Sequence, residues 1–415
     1  MTTKVRKAVI LGVKLLVAGV LLAWVISQVH WDDYVQTADG KMYAVVGKPD
    51  PMAKQVKVVE VQKWQPWKRS EVDRSVSSFE FAGTKNENLP ADQKPVTFEQ
   101  VKRRGMHSAL DQMNTWLLLL ACAGFLCSVL IIAVRWWLLL GLQDVRIKLW
   151  QAVRLTFLGQ FFNYFLPGSV GGDVVKAYYV SKHTHRKASV WVSVFVDRAL
   201  GLVEVVVLGG VMVSVVLKTG LGSWTDMRRP ALVLGVAAAA ILAAMTFLFS
   251  SRLRRILHLQ KLYQRLPIAH HVAAVGDAVR LYRARMGGVA KAIALTFGGQ
   301  IISISSVACI GMSLHLDTPW YTYFAYVPVI YILTAIPITP GAVGVAEALY
   351  TKAFYLASPS GVIVLALLAR LVPMFWSLPG AIVYITGPKL PKAKDMEAEL
   401  NAEEVNPQIT QINAD

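Results

Sequence analysis

Apolar residues in this chain come in long, sparsely charged runs separated by polar and basic stretches. The runs at 8–29, 116–140, 190–217, 231–249, 289–314 and 362–385 each reach the roughly 20 residues that a helix needs to cross a bilayer. Two further apolar runs, 151–166 and 321–336, end in sequence that cannot continue a helix. The first meets Pro167-Gly168-Ser169-Val170-Gly171-Gly172-Asp173. The second meets Pro340-Gly341-Ala342-Val343-Gly344, with Glu347 close behind. Proline removes a backbone donor, and glycine leaves the backbone too permissive to hold helical geometry. At membrane depth such a break persists only where it is buried in protein or lines a polar cavity.

Charge placement turns these runs into a topology. Lys4, Arg6 and Lys7 precede the first run and put its N-terminus in the cytoplasm. Residues 30–114 are polar, with predicted strands at Met42–Val46 and Val56–Gln62 and an amphipathic helix over about Thr97–Met113. They read as a small α+β extracytoplasmic insertion. If 151–166 crossed the membrane, Lys176, Lys182, Arg186, Lys187 and the basic stretch 250–287 would all face outwards. A hairpin that enters and leaves on the cytoplasmic side removes that conflict with the positive-inside bias. The second apolar arm, 321–336, is then entered from outside. The expected fold is an all-α polytopic membrane protein of about six spanning helices plus two re-entrant hairpins in an inverted repeat. Its parts are a helix at 1–29, the insertion at 30–114, a membrane domain at 115–387 and a disordered cytoplasmic tail at 388–415.

Composition narrows the function. The formal net charge is +17, yet only 17 % of residues are charged and 55 % are hydrophobic. The basic residues fall between apolar runs, where topology and anionic lipid headgroups account for them, so nucleic acid is excluded as a partner. The basic stretch 250–287 carries two helix-like apolar patterns and is expected to lie on anionic headgroups. It is also a place where a cytoplasmic enzyme could dock. Cys122, Cys127 and Cys309 all lie inside apolar runs, with neither disulfide nor metal-ligand spacing. No phosphate-binding loop motif is present, and no cofactor or metal is expected.

The two breaks are spaced alike. Pro167 precedes Arg198 by 31 residues and Pro340 precedes Arg370 by 30. Each unit reads apolar arm, Pro-Gly-x-Val-Gly, acidic residue, second arm, and then a spanning helix with an arginine. Broken helices of an inverted repeat that meet near the midplane are the architecture of many transporters. The backbone N–H groups at the start of each second arm would suit an anionic headgroup, and Arg198 and Arg370 could neutralise its phosphate. The candidate binding residues are Asn163, Pro167, Gly168, Gly171, Gly172, Asp173, Lys176, Asp197, Arg198 and Glu204 in the first unit. Pro340, Gly341, Gly344, Glu347 and Arg370 complete the set in the second.

Blander readings exist for each. Asp197, Arg198 and Glu204 could form structural ion pairs between helices, Asp173 and Glu347 could be helix caps, and the glycines could serve close packing. Arg135 is expected to snorkel to the cytoplasmic interface beside Trp136 and Trp137, with Trp116, Trp191, Trp224, Trp320 and Trp376 as interface anchors or packing residues.

The ordered set Asn163 to Asp173, Asp197-Arg198, Pro340 to Glu347 and Arg370 resembles the flippase-like family named after the transmembrane region of lysylphosphatidylglycerol synthase. The match covers roughly 115–386. It implies a bacterial inner-membrane protein, both termini cytoplasmic, that moves a phospholipid or lipid-linked headgroup between leaflets. Some members are instead tied to envelope glycosylation. Three departures stand out. About thirty polar residues follow the last apolar run where the synthase has a soluble aminoacyl-transfer domain, so lysyl transfer is not expected. Asp197-Arg198 stands where the family pattern has Glu-Arg, and the insertion after the first helix is 85 residues long. Translocation is the leading reading. The alternatives are an integral membrane transferase using a lipid-phosphate-linked donor, with Asp173, Asp197 or Glu347 as base, and an envelope-assembly scaffold acting on an envelope enzyme through 30–114.

Overall fold

The computed structural model describes residues 34–36, 42–46, 55–61, 69–77, 106–165, 171–182, 184, 187–249, 281–336, 339, 342–354 and 359–386. The expected first helix at 8–29, most of 250–287 and the tail at 388–415 lie outside the described residues, as do Pro167, Gly168, Pro340 and Gly341.

Four strands, β1 (Tyr34–Gln36), β2 (Met42–Val46), β3 (Gln55–Val61) and β4 (Arg69–Ser77), pair consecutively as an antiparallel sheet. β2 and β3 lie where alternating apolar residues predict strands. β4 escapes that reading because Arg69-Ser70-Glu71-Val72-Asp73-Arg74 is mostly polar on both of its alternating faces. Of the helix expected near Thr97–Met113, α1 (Met106–Asp111) is the described part.

The remainder is helical: α2 (Thr115–Leu142), α3 (Leu149–Phe165), α4 (Gly171–Ser181), α5 (Lys187–Thr219), α6 (Trp224–Phe249), α7 (Met286–Ser313), α8 (Trp320–Ala335), α9 (Val345–Ala353), α10 (Pro359–Ser377) and α11 (Pro379–Thr386). Five stretches among the described residues are long and apolar enough to cross a membrane: Thr115–Leu142, Ser189–Thr219, Trp224–Ala244, Met286–Ser313 and Gly361–Thr386. These match the five expected spans that fall on described residues. At 1.5 Å rise per residue α3 and α8 reach only about 25 Å and α4 and α9 about 15 Å. That is less than the roughly 30 Å hydrocarbon core.

The frame of the bundle is the antiparallel pair α2 and α7. Asn114 caps α2 by accepting from the backbone N–H groups of Trp116 and Leu117 at 3.0 and 3.3 Å, while its own N–H donates 2.8 Å to the Ser313 carbonyl at the end of α7. At the far end Arg285 donates to the carbonyls of Gly141 and Leu142 at 3.2 and 3.0 Å and reaches Asp144 at 2.7 Å. This arginine of the basic stretch therefore satisfies the open carbonyls of a helix C-terminus. Small residues set the interhelical spacing. A side chain at Gly124 would strike Ser306, and one at Gly288 would strike Leu142.

Each pair of short helices folds back on itself. Gly172 at the start of α4 lies so close to α3 that a Cβ there would stand 1.8 Å from the Gly159 carbonyl oxygen. Phe354, just after α9, packs on Tyr323 near the start of α8, with ring centroids 5.0 Å apart. Tyr321 of α8 donates to the carbonyl of Leu221 in the turn between α5 and α6, and Tyr326 to that of Asp226 in the first turn of α6. The starts of α2, α6 and α8 thus share one end of the bundle, where Trp116, Trp224 and Trp320 are exposed, the disposition of an interfacial aromatic belt. Trp376 instead packs inside and donates 2.8 Å to the Cys122 carbonyl.

Candidate functional site

The first unit is organised by an alternating ladder of charges across α2, α4 and α5. Arg135 Nε bonds Asp197 Oδ1 at 2.8 Å. Lys176 Nζ lies 3.7 Å from the other Asp197 oxygen, Oδ2, and 3.1 Å from Asp173 Oδ1. Arg198 closes the series by gripping the remaining Asp173 oxygen, Oδ2, through Nε and Nη2. Lys176 also sits over the Trp136 ring, 4.7 Å from its centroid. Arg135, Asp173, Lys176 and Asp197 are all buried, whereas the Arg198 side chain is 55 % exposed.

Local helix geometry dictates this arrangement. Asp173 and Lys176 are i, i+3 neighbours on one face of α4. Asp197 and Arg198 are consecutive and so diverge by about 100° around α5. One turns inwards to Arg135 and the other outwards to Asp173. Burial of an ion costs several kcal/mol unless it is paired, and here each carboxylate of the ladder faces two cations. An apolar cluster of Trp136, Leu140, Ala152, Ala177, Val190 and Val194 packs among the same helices, and the water-exposed end of the ladder is Arg198.

The expectation that Arg135 snorkels to the interface is overturned, although Trp137 beside it is exposed and bonds the Ile147 carbonyl just beyond α2. Arg135 lies seven residues, about 10 Å, before the end of α2, too deep to leave Asp197 unpaired. Trp136 is fully buried beneath Lys176. The depth of Arg135 in its helix was the signal that could have found it. Glu204, one heptad after Asp197 on the same face of α5, is 3 % exposed, and its Oε1 has no hydrogen-bond partner among the described residues.

The group that meets the start of α4 is Asn163, whose Oδ1 accepts from the Gly172 N–H at 3.0 Å. Asp173 is occupied with Arg198 and Lys176, so the reading of it as a mere cap falls away. The two glycines also differ. Gly172 permits no side chain, whereas a Cβ at Gly171 would meet nothing within 4 Å.

The second unit repeats the plan with fewer charges. Glu347 lies in the first turn of α9, where its Oε2 accepts from the Gly344 N–H at 2.8 Å. Here capping and ion pairing coexist. Arg370 Nε lies 2.9 Å from Glu347 Oε1, and its Nη2 donates 2.8 Å to the Ala342 carbonyl. Ala342 and Gly344 both have positive φ, 55° and 79°, and the Thr339 hydroxyl donates 2.9 Å to the Val343 carbonyl. The turn before α9 is thus wound tightly around the arginine that reads it.

The two units approach each other through α3. Its partner α10 carries Arg370, and Tyr164 near the end of α3 lies within electrostatic reach of Arg370 and of Tyr331 on α8. Tyr331 in turn shares a 3.2 Å hydrogen bond with Ser303 on α7. Sequence reasoning missed Tyr164 and Tyr331, since a tyrosine in an apolar arm looks like any packing aromatic. Among the candidates, Asp173, Lys176, Asp197 and Arg198 converge in one cluster, Glu204 flanks it, and Gly344, Glu347 and Arg370 form the other.

Comparison with known proteins agrees with this membrane architecture. No solved structure matches the chain. A UPF0104 membrane protein of Pyrococcus horikoshii, PH1989, is 29 % identical over 159 residues, covering 36 % of this chain and 45 % of that protein. The match therefore spans less than half the length of that relative. The family model described as the lysylphosphatidylglycerol synthase TM region matches residues 96–380. A match over that length, which takes in both breaks and both arginines, makes this chain a member of the lysylphosphatidylglycerol synthase transmembrane-region family.

Proposed function

We propose that this protein moves the anionic headgroup of a phospholipid or lipid-linked precursor between the leaflets of a bacterial inner membrane. The observation that carries the reading is the recurrence of one device in two places. In each unit a short helix begins at a break, an acid stands in its first turn, and an arginine of the next long helix holds that acid. A headgroup phosphate would exchange with these carboxylates for the same guanidinium forks. Arg198, half in water already, is the first point of contact.

Connectivity supports an inverted repeat of two re-entrant hairpins. α2 ends, and the 33-residue α5 begins, at the end of the bundle opposite the tryptophan belt, so α3 and α4 leave and return on that side. α8 starts, and α9 finishes, at the tryptophan end. The end that carries Arg146, Lys148, Lys187, Arg283 and Arg285 is then cytoplasmic. The α+β insertion and the basic segment 250–287 would contact the outside and anionic headgroups respectively.

Reconstitution tests the reading. Arg198→Ala and Arg370→Ala should each reduce movement of a fluorescent phosphatidylglycerol between leaflets by tenfold or more, about the loss of one charge-assisted pair. Membrane insertion should be retained. Unchanged translocation in both variants removes the site. A chemical product formed from a lipid-linked donor in detergent, where no leaflets exist, favours a transferase instead.

A further inference from the structure

Counting charges in the first unit leaves one over. Arg135, Lys176 and Arg198 contribute three positive charges, while Asp173 and Asp197 contribute two negative ones. The ladder is therefore +1 when Glu204 is protonated and neutral when Glu204 is ionised. Glu204 is placed to make that difference. It is buried on the Asp197 face of α5, and its Oε1 has no hydrogen-bond partner among the described residues.

Its surroundings single it out. α5 packs against α2, α4, α6, α7 and α8. From α2 comes Arg135, and from α4 come Asp173 and Lys176. α6 carries Asp226, Arg228 and Arg229 in its first turns, α7 carries Lys291, and α8 carries tyrosines but no Asp, Glu, Lys or Arg. Arg135 lies within electrostatic reach of Glu204, but is already committed to Asp197 at 2.8 Å. Asp197 is closely paired and Glu204 is not. A buried acid with an open oxygen beside a ladder of excess positive charge is where a proton can come and go at least cost to the fold.

We propose that Glu204 is a proton site linked to headgroup binding: a proton is held on its carboxylate while a monoanionic headgroup occupies the ladder, and is released when the headgroup leaves. A bound phosphodiester cancels the surplus charge, which Glu204 then has no need to cancel. With the ladder empty, its surplus positive charge favours the ionised form of Glu204, and a bound anion removes that favour. One proton is taken up on the side where the headgroup binds and given back on the side where it is released. This rests on the translocation reading above and extends it to the driving force. Movement of headgroup plus proton is electroneutral, so a pH gradient drives it and a membrane potential does not.

The test uses the full chain in vesicles with a trace of fluorescent phosphatidylglycerol, against empty vesicles as background. At steady state, coupling of one proton per headgroup makes the leaflet ratio of the probe follow the proton gradient, changing about tenfold per pH unit. A potassium diffusion potential should leave that ratio unmoved. Glu204→Gln should abolish the response to the pH gradient, together with the infrared carbonyl band of a protonated carboxyl that appears when phosphatidylglycerol is added. If the wild-type protein equilibrates the probe but the ratio ignores pH and follows the potential, the proton site is overturned and translocation stands. If the probe does not move at all, translocation falls and the coupling falls with it. The wild-type arm decides the matter even if the variant fails to insert.

Discussion

Asp173 and Glu347 hold the same post in two parts of the chain: each stands in the first turn of a short helix, and each is held by an arginine, 25 residues on for Asp173 and 23 for Glu347. The second pair is the more enclosed. Arg370 has 17 % of its side chain exposed against 55 % for Arg198.

That difference separates the two arginines experimentally. Arg370→Ala leaves Glu347 buried without its cation and should cost about 3–5 kcal/mol. Arg198→Ala exposes one edge of a carboxylate that Lys176 still holds, and should cost about 1 kcal/mol or less. Thermal unfolding in detergent measures both. Equal losses would mean that burial does not set the value of these pairs.

Arg135 and Asp197 should behave as a unit. Arg135→Leu alone should destabilise by about 3–5 kcal/mol. Pairing it with Asp197→Asn should recover at least about 1 kcal/mol of that loss, as interacting sites do in a double-mutant cycle. Strict additivity would show that the 2.8 Å contact carries no coupling.

The neighbouring glycines of the first break should respond oppositely. Gly172→Ala forces a methyl group into the Gly159 carbonyl and should cost about 1–3 kcal/mol or more. Gly171→Ala has open space and should be neutral or slightly stabilising in the melt.

Trp376→Phe provides a control on the helix of Arg370 that removes no ion pair. It removes the hydrogen bond to the Cys122 carbonyl and should cost about 1 kcal/mol. Translocation should be unchanged in the vesicle assay.

Cysteines introduced at Thr184 and Gly222, with the three native cysteines replaced, should be labelled from opposite sides of intact cells. Gly222 lies at the tryptophan end with Leu221 and should react from outside. Labelling of Thr184 from outside would mean that the first pair of short helices crosses the membrane.

Much of this was legible in the chain because membrane helices must be long, apolar and unbroken. Those requirements leave marks one residue wide: Pro167, Pro340, the glycines and the arginines of the spans. Pairing left no such mark. Nothing in the sequence says which acid Arg135 meets, because the partner is 62 positions away and α2 and α5 have to pack before the two meet. The same holds for Tyr164 beside Arg370, whose proximity depends on α10 lying along α3. Strand β4 was hidden for another reason, since its polar residues erase the alternation that reveals β2 and β3.

The contact of Gly380 with α3 has a mechanical consequence. A Cβ at Gly380 would lie 2.2 Å from the Phe157 carbonyl oxygen, and one at Gly172 would strike the Gly159 carbonyl from another helix. Where main chain lies on main chain no side chain can yield, so α3, α4 and α11 are fastened into one piece. Arg370 belongs to α10, which runs on through Leu378 into α11. Because α10 also packs along α3, the second arginine is tied to this piece by its own helix as well as through the chain, and the two clusters share one support.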